Sequence, residues 1–174
     1  MQTRRLLIRA IETADVEALA ELDAFAEVRA AIDPFDEHIP ADPGERREYE
    51  RRLVGNPGFL AAVERASGRL LGWFQLEDVA GVPGEVELGY RMRPDAWGKG
   101  YATEGAQALL ADALARPGVR RVYAHALLAN PGSLRVMEKI GMTYARPWDY
   151  KGLPGAEYEA LADEVAGGGQ GAGP

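Results

Sequence analysis

The sequence predicts a single mixed α/β (α+β) domain in which strands and helices interleave along the chain. Three observations carry this expectation. With 174 residues, 47% of them hydrophobic, the chain is long enough for one substantial core and too short to expect two. Runs of period two, such as Glu85–Met92, mark half-buried strands. Runs of helical spacing, such as Thr103–Leu114, alternate with them, and Gly/Pro punctuation separates the two kinds.

Leu6 to Ile11 reads as the first strand. Thr13-Ala14-Asp15 then opens a helix with Val16, Leu19, Ala20, Leu22 and Phe25 near helical spacing. Pro34, Pro40 and Pro43 punctuate a loop, and Glu45 to Val54 is a charged second helix stopped by Gly55-Asn56-Pro57. Phe59 to Glu64 and Leu70 to Leu76 form a hairpin across Ala66-Ser67-Gly68, and Gly81 to Gly84 makes the next turn. In Glu85–Met92, Val86, Leu88, Tyr90 and Met92 face one way, while Glu85, Glu87, Gly89 and Arg91 face the other. Thr103 to Leu114 is a helix ended by Pro117-Gly118, and Val119 to His125 is the strand after it. Asn130-Pro131 starts another helix, with Leu134, Met137 and Ile140 on one side and Gly141 as its stop. Thr143 to Tyr150 and Tyr158 to Leu161 are the last strands, around a Gly152 to Gly155 turn. Residues 1–165 are expected to form the domain. The Gly-rich tail 166–174 has almost nothing to bury and reads as disordered.

Composition removes several chemistries. There is no cysteine, which excludes disulfides, thiolate metal sites and a cysteine nucleophile. His38 and His125 stand far apart in no ligand spacing, so no metal is expected. No long apolar run or signal-peptide core is present, and a cytoplasmic protein with no membrane partner is expected. A net charge of -7 argues against nucleic acid. The charge is uneven, however. Residues 116–151 hold seven Lys/Arg against two acids, whereas residues 1–41 hold four Arg against nine acids. Such blocks suit an anionic cofactor and a cationic substrate, or are simply solvated faces.

Trp97-Gly98-Lys99-Gly100-Tyr101-Ala102-Thr103-Glu104 lies where a strand has ended and a helix begins. Glycines there let a backbone approach an anion, which the unpaired N–H groups and positive dipole end of the new helix would hold. A Walker A loop fails because Gly100, not Ser or Thr, follows Gly98-Lys99. A dinucleotide fingerprint is weakened by Thr103 at its third glycine and by the preceding hairpins. Trp97 to Ala102 instead resembles the pyrophosphate loop of the GNAT acyltransferases, Gln/Arg-x-x-Gly-x-Gly/Ala, at two of its three defined positions. Trp97 in place of Gln or Arg, with Glu87-Leu88-Gly89-Tyr90 before it and Ala102-Thr103-Glu104 after it, resembles the RimJ/RimL-type branch that acetylates ribosomal-protein N-termini. Asn130-Pro-Gly-Ser133-Leu-Arg-Val136-Met-Glu138-Lys139-Ile-Gly141-Met142 is similar to the family's second motif, lacking only its final Phe.

The resemblance implies a mostly antiparallel sheet of about seven strands, splayed at the cofactor strand and flanked by about four helices. It implies acetyl-coenzyme A as cosubstrate, without metal, and acetyl transfer to an amine by direct attack in a ternary complex. A protein N-terminal α-amine is the acceptor expected for the branch, with a small-molecule amine or a non-catalytic coenzyme A-binding module as alternatives. A homodimer is compatible with it. Amides of Gly98, Lys99, Gly100, Tyr101 and Ala102, with Trp97 and Thr103 flanking them, would hold the pyrophosphate. Tyr90, Arg91 and Met92 would line the pantetheine arm through backbone groups.

Arg93 and Lys99 are candidate phosphate contacts or plain surface cations. Asn130 would touch the cofactor arm, although N-capping explains it equally. Ser133 would act near the departing thiolate, because the position where many members carry a tyrosine acid is Met137. Glu87, or Glu85 on the same face, is the candidate base, and a solvent-facing strand glutamate is the competing reading. His125 reads as structural. Asp33, Asp36 and Glu37 would suit a cationic acceptor.

Overall fold

Leu6 and Ile8 are buried on alternate positions of β1 (Leu6–Ala10), and the strand leads through a 3-10 turn at Thr13–Asp15 into helix α1 (Val16–Leu22). The computed structural model describes residues 1–32 and 39–162. The acidic loop of Asp33, Asp36 and Glu37, together with His38 and the Gly-rich tail, lies outside the described residues. The further elements are α2 (Ala26–Ile32), α3 (Pro43–Arg51), β2 (Phe59–Glu64), β3 (Leu70–Asp78), β4 (Glu85–Met92), α4 (Tyr101–Leu114), β5 (Arg121–Leu127), α5 (Pro131–Lys139), β6 (Thr143–Tyr150) and β7 (Leu153–Leu161). The strands make one seven-stranded sheet of order β1-β2-β3-β4-β5-β7-β6. β1/β2, β2/β3, β5/β7 and β6/β7 are antiparallel. β4 and β5 are parallel, from Glu85 beside Arg121 to Glu87 beside Tyr123, and β4 itself continues to Met92.

The chain divides into two compact units. The first comprises residues 1–75 and 89–106. Its core gathers Ile11, Leu19, Leu22, Val28, Leu53, Phe59, Ala61, Val63, Leu70 and Trp73. Each large side chain buried this way contributes roughly 1.5–3 kcal/mol. β3 and β4 approach closely because residue 72 is glycine: a Cβ there would lie 2.0 Å from the Arg91 carbonyl oxygen.

The second unit comprises residues 76–88 and 107–174. Val86, Leu88, Leu109, Leu110, Val122, Ala124, Met137, Ile140 and Met142 are buried in it. β6 and β7 meet in a two-residue hairpin, Tyr150 paired with Leu153, whose turn residues Lys151 and Gly152 both have positive φ, 53° and 87°. That is the twist two-residue hairpins favour.

Three expectations need correction. α2 is an additional helix, because the first amphipathic run breaks at Asp23–Phe25 and restarts at Ala26, so there are five helices among the described residues. α3 starts at Pro43 rather than Glu45, since the Asp42 carboxylate accepts from the amides of Gly44 and Glu45 at 2.7 and 2.9 Å. β7 runs back to Leu153, because Pro154 and Gly155 sit inside the strand and the turn needs only Lys151 and Gly152.

Candidate active site

In the first unit, β4 gives way to a 3-10 turn at Pro94–Ala96, an extended Trp97, and then Gly98 and Gly100 with φ of 71° and 80°. Left-handed backbone at both positions requires glycine or costs about 1–2 kcal/mol. A Cβ on Gly98 would meet nothing within 4 Å, so the loop is open on that side. Glu104 N–H donates to Gly100 O at 3.0 Å. The amides of Tyr101, Ala102 and Thr103 therefore precede the helical ladder and stand free to serve an anion. Trp97 is 46% exposed, yet its Nε1–H donates to Met92 O at 2.7 Å and fastens the loop to the end of β4.

The cradle is braced from below. Arg5 donates to Lys99 O at 2.8 Å, lies 4.3 Å over the Tyr101 ring, and meets Glu104 through Nε at 2.7 Å. Glu104 also accepts from the Arg5 amide at 2.7 Å and from Thr3 Oγ1 at 2.6 Å. Burial would raise its carboxyl, but these bonds hold it down to about 2. The Tyr101 hydroxyl donates to Glu64.

Along β4 the predicted alternation holds, with Val86, Leu88 and Met92 buried. Tyr90 packs by Phe74, ring centroids 6.3 Å apart. The Arg91 side chain turns away from the loop to Asp23 at the end of α1, 2.6 Å, and lies 4.8 Å over the Trp73 ring. Arg93 lies 3.4 Å from Glu21 and 3.7 Å from Asp95. Both arginines are thus already committed to acids. Glu50 of α3 is fully buried, and its carboxyl has no hydrogen-bond partner among the described residues. Burial first, then the neighbouring Asp23, raise it to about 8.

In the second unit the two acids on the polar face of β4 differ. Glu85 is taken by Arg121 at 2.9 Å, and the same guanidinium also holds Glu157 and Glu159. Glu87 is 38% exposed at its side chain, and His125 Nδ1 lies 3.9 Å from its Oε1. Burial raises the Glu87 carboxyl above its ordinary range, His125 opposes, and Glu77 adds to the rise. Asn130 caps α5, its side chain accepting from Ser133 N at 3.1 Å. Ser133 is half-buried, and Met137 is buried core. The Tyr158 hydroxyl donates to Glu138 of α5 at 3.1 Å.

Residues 5–143 match the family described as Acetyltransferase (GNAT) domain. The chain belongs to the GNAT acetyltransferase family. Its reaction is therefore acetyl transfer from acetyl-coenzyme A to an amine. An FsC-acetyl coenzyme A-N(2)-transacetylase of Aspergillus fumigatus is 33% identical over 95 residues, covering 51% of this chain and only 40% of that protein. "Putative ribosomal N-acetyltransferase YdaF" of Bacillus subtilis is 30% identical over 147 residues, 78% of this chain and 76% of that one. A GNAT-family acetyltransferase structure from Bacillus anthracis superposes with a TM-score of 0.83 at 25% identity, covering 94% of this chain and 98% of the other.

Features of this GNAT enzyme that sequence reading did not reach are long-range. Arg5 and Glu104 are 99 positions apart. Glu157 is 1% exposed beneath His125, whose Nε2 meets it at 2.8 Å, and Arg146 reaches it at 2.8 Å. Trp148 stacks on His125 with centroids 4.6 Å apart at 13°. The alternating Tyr144, Arg146, Trp148 and Tyr150 along β6 was the one available sign, but nothing in the sequence pairs it with His125.

Proposed function

We propose that this GNAT enzyme acetylates a protein N-terminal α-amine, in the manner of the RimJ/RimL-type branch, by direct attack within a ternary complex. The observation that carries the reading is Glu87: a carboxyl with no arginine on it, raised by burial toward neutrality, on the strand face where Glu85 is already neutralised. A base whose affinity for a proton is lifted toward working pH is better matched to general-base work. An α-amine near 7.7–8 needs only about 1.4 kcal/mol or less to be free at pH 7, whereas a lysine at 10.4 needs about 4.6. A single carboxylate suffices for the former. The ribosomal designation of the Bacillus subtilis relative supports the same acceptor class.

Acetyl-coenzyme A supplies a thioester whose thiolate departs readily. Its pyrophosphate suits the amides of Gly98 to Thr103, where both glycines allow the left-handed turn of the loop. The backbone of Tyr90, Arg91 and Met92 would accompany the pantetheine arm. Trp97 would flank the pyrophosphate, fastened to the end of β4 by its bond to Met92 O. Asn130, the cap that presents Ser133, would bind the cofactor, and Ser133 would hydrogen-bond the departing sulfur because Met137 offers no proton. The catalytic domain is assigned to residues 1–165.

Thiol release decides the acceptor. Acetyl-coenzyme A is offered with a peptide bearing a free α-amine, the same peptide blocked at its N-terminus but carrying lysine, and a polyamine. The expected result is turnover with the first and little with the blocked peptide. Preference for the polyamine transfers the assignment to small amines, and coenzyme A binding without turnover on any acceptor identifies a binding module.

A further inference from the structure

The imidazole of His125 is approached from four strands of the second unit. Glu87 of β4 faces Nδ1, 3.9 Å away, and Glu157 of β7 meets Nε2 at 2.8 Å. Trp148 of β6 stacks on one face, and Tyr123 of β5 stands 5.1 Å off. The charged groups around this centre are Glu77 of β3, Glu85 beside Glu87, Arg121, Arg146 and Glu159. Trp148 reaches across β7 because residue 155 is glycine: a Cβ there would lie 2.5 Å from its Cε3 and 2.8 Å from Ala126 O.

The arrangement fixes the tautomer. Burial would raise Glu157, but Arg146, His125 and Arg121 hold it to about 2, so it is a carboxylate and can only accept. Nε2 must then carry hydrogen. In the neutral ring that leaves the Nδ1 lone pair on the side of Glu87.

We propose that His125, held by Glu157 and Trp148 with Nδ1 toward Glu87, is a positioning residue that receives the acceptor's proton from Glu87 and passes it to solvent. The proposal rests on the assignment of Glu87 as base. In the step, the acceptor ammonium loses one proton to Glu87 Oε1, the N–H bond breaking and an O–H bond forming. That proton then moves to Nδ1, leaving Glu87 as carboxylate beside an imidazolium that Glu157 balances. The ring returns to neutral by releasing the proton to solvent. The second nitrogen proton, lost after attack, is matched by protonation of the coenzyme A thiolate, so one proton is released per turnover of an ammonium acceptor. A side-chain movement of about 1 Å closes the 3.9 Å gap to hydrogen-bond length.

The test is kcat/KM against pH from 5.5 to 9, with acetyl-coenzyme A and the free α-amine peptide, for wild type, Glu87→Gln and His125→Gln. Without His125, burial and Glu77 act on Glu87 unopposed. The acid limb of His125→Gln is therefore expected to move to higher pH, with kcat at pH 7 down by about tenfold and the KM for acetyl-coenzyme A unchanged. A slow Glu87→Gln beside a His125→Gln with the wild-type profile overturns the relay alone. A Glu87→Gln with the wild-type profile overturns the Glu87 assignment and the relay with it. Ring-nitrogen NMR of the unsubstituted protein gives an independent readout, since the chain has two histidines. In the neutral ring the Nε2–H tautomer of His125 is expected, and the Nδ1–H tautomer overturns the proposal.

Discussion

Glu85 and Glu87 sit two residues apart on one strand face, and their fates are opposite because Arg121 reaches only the first. Sequence could nominate both; it could not choose, since Arg121 arrives from 36 positions away. Glu87→Gln is expected to lower kcat by about 10²–10⁴-fold with little change in coenzyme A affinity, read by initial rates and calorimetry. Glu50 makes a stability prediction. Its carboxyl rises from 4.5 to about 8 on folding, so the folded state binds more protons between those values. Stability is fully present below the lower value and falls as pH rises through the upper one. Thermal melts at pH 5 and 8.5 should show wild type losing stability across the interval and Glu50→Gln losing much less; parallel losses would count against a protonated Glu50.

At the scale of elements, α4 couples the cradle to the sheet. Gly105 lies in the second turn of this helix, and a Cβ there would stand 2.1 Å from Phe74 Cζ. Alanine in a helix interior normally gains about 0.5–1 kcal/mol over glycine. Here overpacking of about 1–3 kcal/mol outweighs that gain, so Gly105→Ala is expected to lower the melting temperature. Gly100→Ala acts differently. It strains one left-handed residue that starts the anion cradle, and should weaken coenzyme A binding several-fold with a smaller effect on the melt. The bounds of β4 and the end of α4 were legible because amphipathic period and Gly/Pro punctuation coincide there, whereas α4 starts at Tyr101, two residues before the expected Thr103. α2 was not legible, because Asp23, Ala24 and Phe25 interrupt the helix without a glycine or proline. β7 was cut short for the opposite reason, since Pro154 and Gly155 punctuate a strand that does not stop.

For the whole molecule, the order of elements and the two motifs were readable because both are local in sequence, and the family follows from them. What was not readable is the electrostatics within each unit, which depends on pairs distant in sequence such as Arg5–Glu104 in the first and Arg121–Glu157 in the second. Direct transfer has a kinetic signature: with no cysteine in the chain, double-reciprocal plots in both substrates should intersect. Parallel lines would require a covalent acetyl-enzyme. The stack of Trp148 on His125 has one more consequence, and it is optical. An indole pressed against imidazole changes its emission when that ring becomes a cation, and the contact itself tightens through the aromatic face. With Trp73 and Trp97 replaced by phenylalanine, Trp148 is the remaining emitter of three. Its fluorescence would then report, in real time and without a dye, when the ring beside the base holds a proton.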